Sequence, residues 1–129
     1  MQHFYAIVHK DEDSAFGVEF PDLPGCFSAA DTLEEVPAKA REALSLWFED
    51  AEAVEPRSLA EIRKEAAEAL AAGAFLIAVP HVVRTGRAVR VNISIDEGLL
   101  DAIDSVAKQR KQNRSAFLAE AASDRLENA

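Results

Sequence analysis

The sequence has little of several residue types, and each shortage excludes a class of protein. A single cysteine, Cys26, cannot form a disulfide within the chain, which argues against a disulfide-stabilised secreted scaffold and for a reducing compartment. No apolar run approaches the roughly 20 residues that a membrane-spanning helix needs. The opening stretch, MQHFYAIVHKDED, lacks the basic start and long apolar segment of a signal peptide. We therefore expect a cytoplasmic protein that does not associate with membranes.

Basic residues are also scarce, and they are unevenly distributed. The 129 residues include 14 Lys and Arg against 23 Asp and Glu, a net charge of −9. Residues 1–80 contain 16 acidic and 6 basic side chains, whereas residues 81–129 contain 7 acidic and 8 basic ones. An acidic module is thus joined to one with a local basic surface, and we expect different partners for the two. We place the domains at 1–80 and 87–129, with a linker at 81–86.

The last forty residues follow a strand–helix–helix pattern. Apolar and polar side chains alternate as in a half-buried strand at 88–95. Asp96 and Ser115 suit the N-caps of two helices that have apolar stripes. So short a unit cannot bury a core alone, so we predict that the strand pairs with its twin in a homodimer. The dimerising residues would be Val89, Val91, Ile93 and Ile95.

This order of elements resembles the ribbon-helix-helix DNA-binding module. In that family the paired strands enter the major groove, and the second helix presents its N-terminal amides to a phosphate. Arginine can bond to guanine and asparagine to adenine, and a helix N-terminus attracts an anion. The alternative is an ordinary solvated strand of an α+β domain, but the strand, caps and helix stripes agree with one another. The resemblance implies DNA contacts from Arg90, Asn92 and Ser94 on the strand, and from Asn113, Arg114 and Ser115 at the second helix.

Residues 3–79 show the pattern of a sheet combined with helices. Strands are predicted at 3–9, 15–20 and 26–30, with the tight turn PDLPG between the last two. A helix is predicted from Thr32, in a capping box with Glu35, to about Ala53, and Pro37 should kink it or delay its regular start. A second helix is predicted from Ser58 to about Ala72, and a strand buried on both faces at 74–79. The buried stripe of the first helix would be Leu33, Val36, Ala40, Leu44 and Trp47.

The stretch GVEFPDLPGCFSAADTLEEV, residues 17–36, resembles the signature of the HicB antitoxin family. It has the aromatic strand, the Pro-Asp-Leu-Pro-Gly-Cys turn and the Asp-Thr-Leu-Glu-Glu helix start, although Pro37 departs from the usual run of small helix formers. The resemblance implies an α+β fold: a truncated ribonuclease-H-like sheet with helices on one face, followed by a ribbon-helix-helix domain. It implies an antitoxin of a type II toxin–antitoxin system. Such a protein neutralises a HicA-type mRNA-cleaving toxin and represses its own operon by binding operator DNA.

The acidic residues of the first module are candidates for toxin contact. An RNA-cleaving partner should be basic, and Glu19 and Asp22 lie on or beside the predicted hairpin. The alternative is that these carboxylates only keep the surface soluble. Catalysis is not expected, because metal-dependent phosphodiester cleavage needs several converging carboxylates, and the first strand offers none. The three histidines have no recognised ligand spacing, so no metal or cofactor is predicted.

A competing hypothesis is a free-standing transcription regulator whose N-terminal domain senses a small ligand. Residues 1–80 contain no Gly-rich loop and no cluster of convergent polar residues that would form a ligand cradle. The antitoxin hypothesis is therefore preferred. The sequence leaves open whether ribbon dimers join into tetramers.

Overall fold

The computed structural model describes residues 1–10, 12 and 14–128. The chain divides into two compact units, of which the first ends at Val83 and the second begins at Arg84. Unit 1 combines a four-stranded antiparallel sheet with helices, and unit 2 consists of two helices preceded by a segment without regular structure. Within the described residues, no helix has both the length and the apolar character needed to cross a membrane.

The sheet of unit 1 has the strand order β3-β2-β1-β4. Its strands are β1 (Gln2–Lys10), β2 (Phe16–Glu19), β3 (Phe27–Ala30) and β4 (Phe75–His81). Every neighbouring pair is antiparallel, with Ile7 opposite Glu19 and Tyr5 opposite Ala78. Because β4 lies at an edge, Pro80 can occupy it although proline has no backbone N–H to donate.

The main core lies on one face of this sheet. Alternate residues of β1, Phe4, Ala6 and Val8, are fully buried and form one cluster with the residues that face them. Side chains alternate between the two faces of a strand, so Ile7 points to the opposite face, and it is buried as well. The other buried members of the main cluster are Val18, Phe20, Leu23, Cys26, Ala30, Val36, Ala40, Leu44 and Val79.

The first helix begins later than predicted. A 3-10 helix at Leu33–Glu35 precedes α1 (Val36–Glu49), and Pro37 lies in the first turn of α1, where its missing N–H removes no helical hydrogen bond. The predicted delay is confirmed. The capping box is wrong, because the Thr32 side chain makes no cap hydrogen bond. Leu33, predicted to be buried, is 52% exposed, and the helix ends before Ala53.

The predicted second helix is divided into α2 (Leu59–Glu65) and α3 (Ala67–Ala71) by a non-helical conformation at Ala66. Ser58 caps α2 in a capping box: its hydroxyl accepts from the Glu61 backbone N–H at 3.3 Å, and its own N–H donates to the Glu61 carboxylate at 2.9 Å. The following strand is not buried on both faces, because only Val79 is buried along β4. It also extends through His81, the residue at which the linker was predicted to begin.

Unit 2 contains α4 (Glu97–Gln109) and α5 (Arg114–Glu127). Asp96 caps α4 as predicted, since its carboxylate accepts from the Leu99 backbone N–H at 3.0 Å. Ile103 and Ala107 are the buried apolar residues among those described in this unit. Several large apolar side chains are exposed: Val89, Val91, Ile93, Leu99, Val106 and Leu126. A single copy of unit 2 therefore leaves these six large apolar side chains exposed to water.

Candidate functional site

The segment predicted to be a DNA-contacting strand has no strand partner within the described chain. Residues 87–95 have no regular secondary structure, which departs from the predicted strand at 88–95. A strand is defined by backbone hydrogen bonds to a neighbour, and these residues find no such neighbour in one copy. Val89, Val91 and Ile93 are between 64% and 72% exposed, and Ile95 is half-buried. The polar residues between them, Arg90, Asn92 and Ser94, are exposed too.

The turn between α4 and α5 has a different cap from the one predicted. Asn113 is the N-cap of α5, because its Oδ1 accepts from the Ala116 backbone N–H at 2.8 Å, so the assignment of Ser115 as N-cap is wrong. Lys111 adopts a left-handed conformation with φ 57°, and the Gln112 N–H bonds back to the Ala107 carbonyl at 2.8 Å. This backbone turn ends α4 at Gln109, so Asn113 can serve as the N-cap of α5.

Two of the basic side chains near this turn are already paired. Arg114 donates from Nε and Nη2 to the two carboxylate oxygens of Asp104 at 2.9 and 2.8 Å. These bonds raise the pKa of Arg114 and lower the pKa of Asp104. Arg110 donates to Glu120 at 2.8 Å. The basic surface predicted from the sequence is thus partly neutralised within unit 2.

Two other basic residues of the turn remain available. Lys108 and Lys111 are exposed and form no ion pair with any described residue. They lie at the end of α4 and directly after it, close in sequence to the N-terminus of α5. An anion that approaches the α5 N-terminus would therefore meet backbone N–H groups together with lysine ammonium groups.

The two carboxylates predicted to contact a toxin differ in their environments. Glu19, on β2, is partly exposed and bonds to His9 Nε2 on the adjacent strand at 2.9 Å. Asp22, in the turn after β2, has a side chain only 6% exposed, contrary to the expectation of an exposed carboxylate. It accepts from the Arg57 backbone N–H at 2.9 Å and from the Arg57 guanidinium, which also binds Glu65. Asp22 therefore fastens its turn to the start of α2.

Arg57 is a residue that the sequence analysis missed. It lies 35 positions from Asp22 in a segment without regular structure, and no local motif links the two. The bonds to Asp22 and Glu65 raise the pKa of Arg57 further above its already high value. A guanidinium is always charged, so Arg57 always offers the nearly buried Asp22 carboxylate a positively charged partner.

Metal binding has no cluster of side chains to support it in the described part of the chain. No group of three His, Cys, Asp or Glu side chains there could hold a metal ion. Asp22 is occupied by Arg57, and Asp11 and Asp13, the aspartates that follow the first strand in the sequence, lie outside the described residues. Cys26 is buried, and burial raises the pKa of its thiol to about 11, so the thiol is almost entirely protonated at neutral pH.

The chain resembles known proteins over nearly its whole length. Residues 4–122 match the family described as HicB-like antitoxin of bacterial toxin-antitoxin system. An uncharacterized 14.9 kDa protein from the rep-hol intergenic region of Haemophilus phage HP1 is 34% identical over 131 residues, which cover 95% of this chain and 96% of the phage protein. The crystal structure of the antitoxin HicB from Burkholderia pseudomallei has 30% identity and a TM-score of 0.55, over 100% of this chain and 99% of that one.

A second solved structure, that of the antitoxin HicB3, is similar over 97% of this chain and 98% of its own, with 26% identity and a TM-score of 0.54. These matches extend through both units, so they include the acidic sheet module as well as the helices of unit 2. The chain belongs to the family of HicB-like antitoxins of bacterial toxin–antitoxin systems.

Proposed function

We propose that this antitoxin-family chain neutralises a HicA-type mRNA-cleaving toxin through unit 1 and represses its own operon through unit 2. Unit 2 would act as a ribbon-helix-helix homodimer on operator DNA. The observation that carries the DNA-binding role is the exposed alternation of apolar and polar side chains from Val89 to Ser94, in a segment that has no partner within one described copy.

A second copy of the same segment is the simplest partner for this alternation. Burying one such apolar side chain contributes about 1.5–3 kcal/mol, so the three most exposed ones, Val89, Val91 and Ile93, provide a strong drive to associate. An antiparallel pair related by a two-fold axis would also satisfy the backbone groups of both strands. The apolar side chains would then face the helices, and the polar ones would form the outer face of a two-stranded ribbon.

The polar face of this ribbon suits base recognition. A two-stranded ribbon fits the major groove, where arginine can bond to guanine and asparagine to adenine. Arg90 and Asn92 supply these groups, and Ser94 supplies a hydroxyl that can donate or accept. Phosphate contacts would come from the α5 N-terminus, through its backbone N–H groups and Arg114, with Lys108 and Lys111 adding positive charge.

The DNA-binding role is tested by comparing two arginine variants that remove the same charge. Arg90→Ala should weaken binding to the DNA upstream of the operon by about 1–3 kcal/mol and relax sequence preference, because a base contact is lost. Arg125→Ala, near the end of α5, is the matched control and should change affinity little. Fluorescence anisotropy with specific and scrambled duplexes measures both effects. Equal binding by the Arg90→Ala variant and the unmutated protein would contradict the strand assignment.

The toxin-neutralising role rests on family membership and on charge. Unit 1 has 16 acidic and 6 basic side chains, and a protein that cleaves RNA must present positive charge to phosphate. Co-expression of a HicA-type toxin with residues 1–83, with residues 84–129, or alone tests the division of roles. We expect residues 1–83 to restore growth and protect mRNA, with weaker binding than the full chain because dimeric avidity is lost. Rescue by residues 84–129 alone would contradict it.

A further inference from the structure

The outer edge of β3, on the side away from β2, has three features of a docking surface: an unpaired strand edge, exposed apolar side chains and unpaired carboxylates. β3 pairs with β2 on one side, and no other strand pairs with it in the described part of the chain. Its sequence, Phe-Ser-Ala-Ala, contains no charge and no proline, which are the usual means of protecting an edge strand. At the other edge of the sheet, β4 does contain a proline, Pro80. The β3 edge therefore presents backbone hydrogen-bonding groups without a built-in block.

Large apolar side chains are exposed at both ends of this edge. Phe27, the first residue of β3, is 66% exposed, although Ala30 of the same strand is buried in the core. Leu33, three residues after the strand, is 52% exposed in the 3-10 helix. Exposed aromatic side chains are frequent anchors of protein interfaces. Neither residue is required to complete the core of unit 1.

Unpaired carboxylates lie between and beside these two residues. Asp31, Glu34 and Glu35 are exposed, and none forms an ion pair with any described residue. By contrast, Glu19 and Asp22 are engaged by His9 and Arg57. No Lys or Arg occurs between residues 27 and 36. The β3 edge is thus an apolar surface within a region of uncompensated negative charge.

We propose that the β3 edge, consisting of Phe27–Ala30, Asp31 and Leu33–Glu35, is where unit 1 receives the basic face of its toxin. This inference rests on the proposed function and names the surface for it. A strand rises about 3.3 Å per residue, so Phe27 and Asp31 lie within roughly 13 Å of each other along the chain. A standard interface of about 800 Å² per partner would cover both.

The charge of this edge decides between two occupants. A second copy of unit 1 would bring the same three carboxylates against their equivalents, and like charges across an interface oppose association. A basic protein would instead be attracted to them, with Phe27 and Leu33 inserted into its apolar depressions. Bound there, it would have its phosphate-binding surface covered, since the carboxylates occupy the positions that RNA phosphates would take.

The test uses the full chain and a catalytically inactive HicA-type toxin. Phe27→Ser should weaken binding at least tenfold, mainly through faster dissociation, because an anchor is lost. The combined variant Asp31→Asn, Glu34→Gln and Glu35→Gln should slow association and reduce its dependence on salt. Surface plasmon resonance at two salt concentrations measures both effects, and urea denaturation followed by circular dichroism confirms that unit 1 of each variant remains folded.

Matched controls remove equivalent groups elsewhere in unit 1. Leu46→Ser replaces an apolar residue of α1 that is 57% exposed, and Glu52→Gln with Glu55→Gln and Glu68→Gln removes three other exposed carboxylates. Both controls should bind toxin within twofold of the unmutated chain. If the variants and controls lose toxin binding equally, or if the variants lose none, the assignment of this surface is wrong, but the proposed function is not affected. Failure of the unmutated chain to bind toxin would instead overturn the proposed function as well.

Discussion

Arg114, the first residue of α5, holds Asp104 of α4 in a bidentate ion pair with donor–acceptor distances of 2.9 and 2.8 Å. A guanidinium has five N–H donors, so the pair leaves three for another acceptor. The proposed phosphate contact of Arg114 would therefore be made beside a carboxylate that repels the same phosphate. Asp104 is thus expected to moderate DNA affinity without affecting sequence preference.

The first prediction is that Asp104→Asn tightens binding to every DNA sequence, by several-fold at low salt and less at high salt, because it removes one negative charge near the backbone. Arg114→Ala should weaken binding to all sequences alike and reduce the slope of log K against log salt by about 1. Salt titrations followed by anisotropy measure both. Weaker binding by Asp104→Asn would show instead that Asp104 orients Arg114 toward the phosphate.

The second prediction concerns the dimer. Ile93→Asp places a charge where an exposed apolar side chain is proposed to be buried against a second copy, so the species observed by light scattering at micromolar concentration should have half the mass. Asn92→Asp adds the same charge to the polar side of the segment and should leave the mass unchanged. An unaltered mass for Ile93→Asp would show that the segment does not form the interface.

The third prediction concerns the link between Asp22 and Arg57. Asp22→Asn should destabilise unit 1 by about 1–3 kcal/mol, because a nearly buried carboxylate loses a charge-assisted bond while Arg57 loses a partner. Glu65→Gln removes the more exposed partner of Arg57 and should cost less than about 1 kcal/mol. Urea denaturation of both variants gives these values. Equal costs would contradict the difference in burial.

The same link changes how toxin-binding data on Asp22 should be interpreted. A charge reversal at Asp22 disrupts the fold of its turn, so a loss of toxin binding in that variant should follow the loss of stability. Charge reversal at Glu19, which is partly exposed on β2, tests a surface contribution more directly and should slow association more than it speeds dissociation.

The fourth prediction is a pH dependence from the α2 capping box. The Ser58 backbone N–H and hydroxyl donate to the Glu61 carboxylate and hold its pKa below the ordinary value of 4.5. A lowered folded-state pKa stabilises the fold fully above that ordinary value, and the contribution disappears as the pH falls through the folded-state pKa. The free energy of unfolding of the Glu61→Gln variant, measured by urea titration, should therefore fall less between pH 7 and pH 3 than that of the unmutated chain. Identical losses would contradict the role of this carboxylate.

Local patterns predicted the elements whose causes are local. The strands predicted at 15–20 and 26–30 contain β2 and β3, and Asp96 caps α4 as its position before an apolar stripe indicated. The failures arose where two local signals competed. Thr32 resembles an N-cap, but Pro37 suits a first helical turn five residues later, and the proline determined where α1 begins. Asn113 and Ser115 are both good caps, and the left-handed Lys111 decided between them.

Features that depend on residues far apart in the sequence could not be predicted from local patterns. The burial of Asp22 depends on Arg57, which no spacing rule connects to it, so local sequence predicts a surface carboxylate at this position. The exposure of Leu33 follows from the late start of α1, which turns this residue out of the buried stripe. The proposed ribbon depends on a second molecule, and its alternation can be recognised in the sequence even though one copy does not form the strand.

The pairing of β1 with β4 determines when unit 1 can be completed during synthesis. Gln2 pairs with His81 and Val8 with Phe75, so the first strand of the unit must wait during synthesis for the last one. Contacts of such large sequence separation slow folding, because a long loop must be closed before the pairing stabilises it. Until residue 81 has left the ribosome, the apolar side chains of β1 depend on β2, β3 and α1 alone. Nascent unit 1 is therefore expected to be vulnerable to proteases until translation has passed β4.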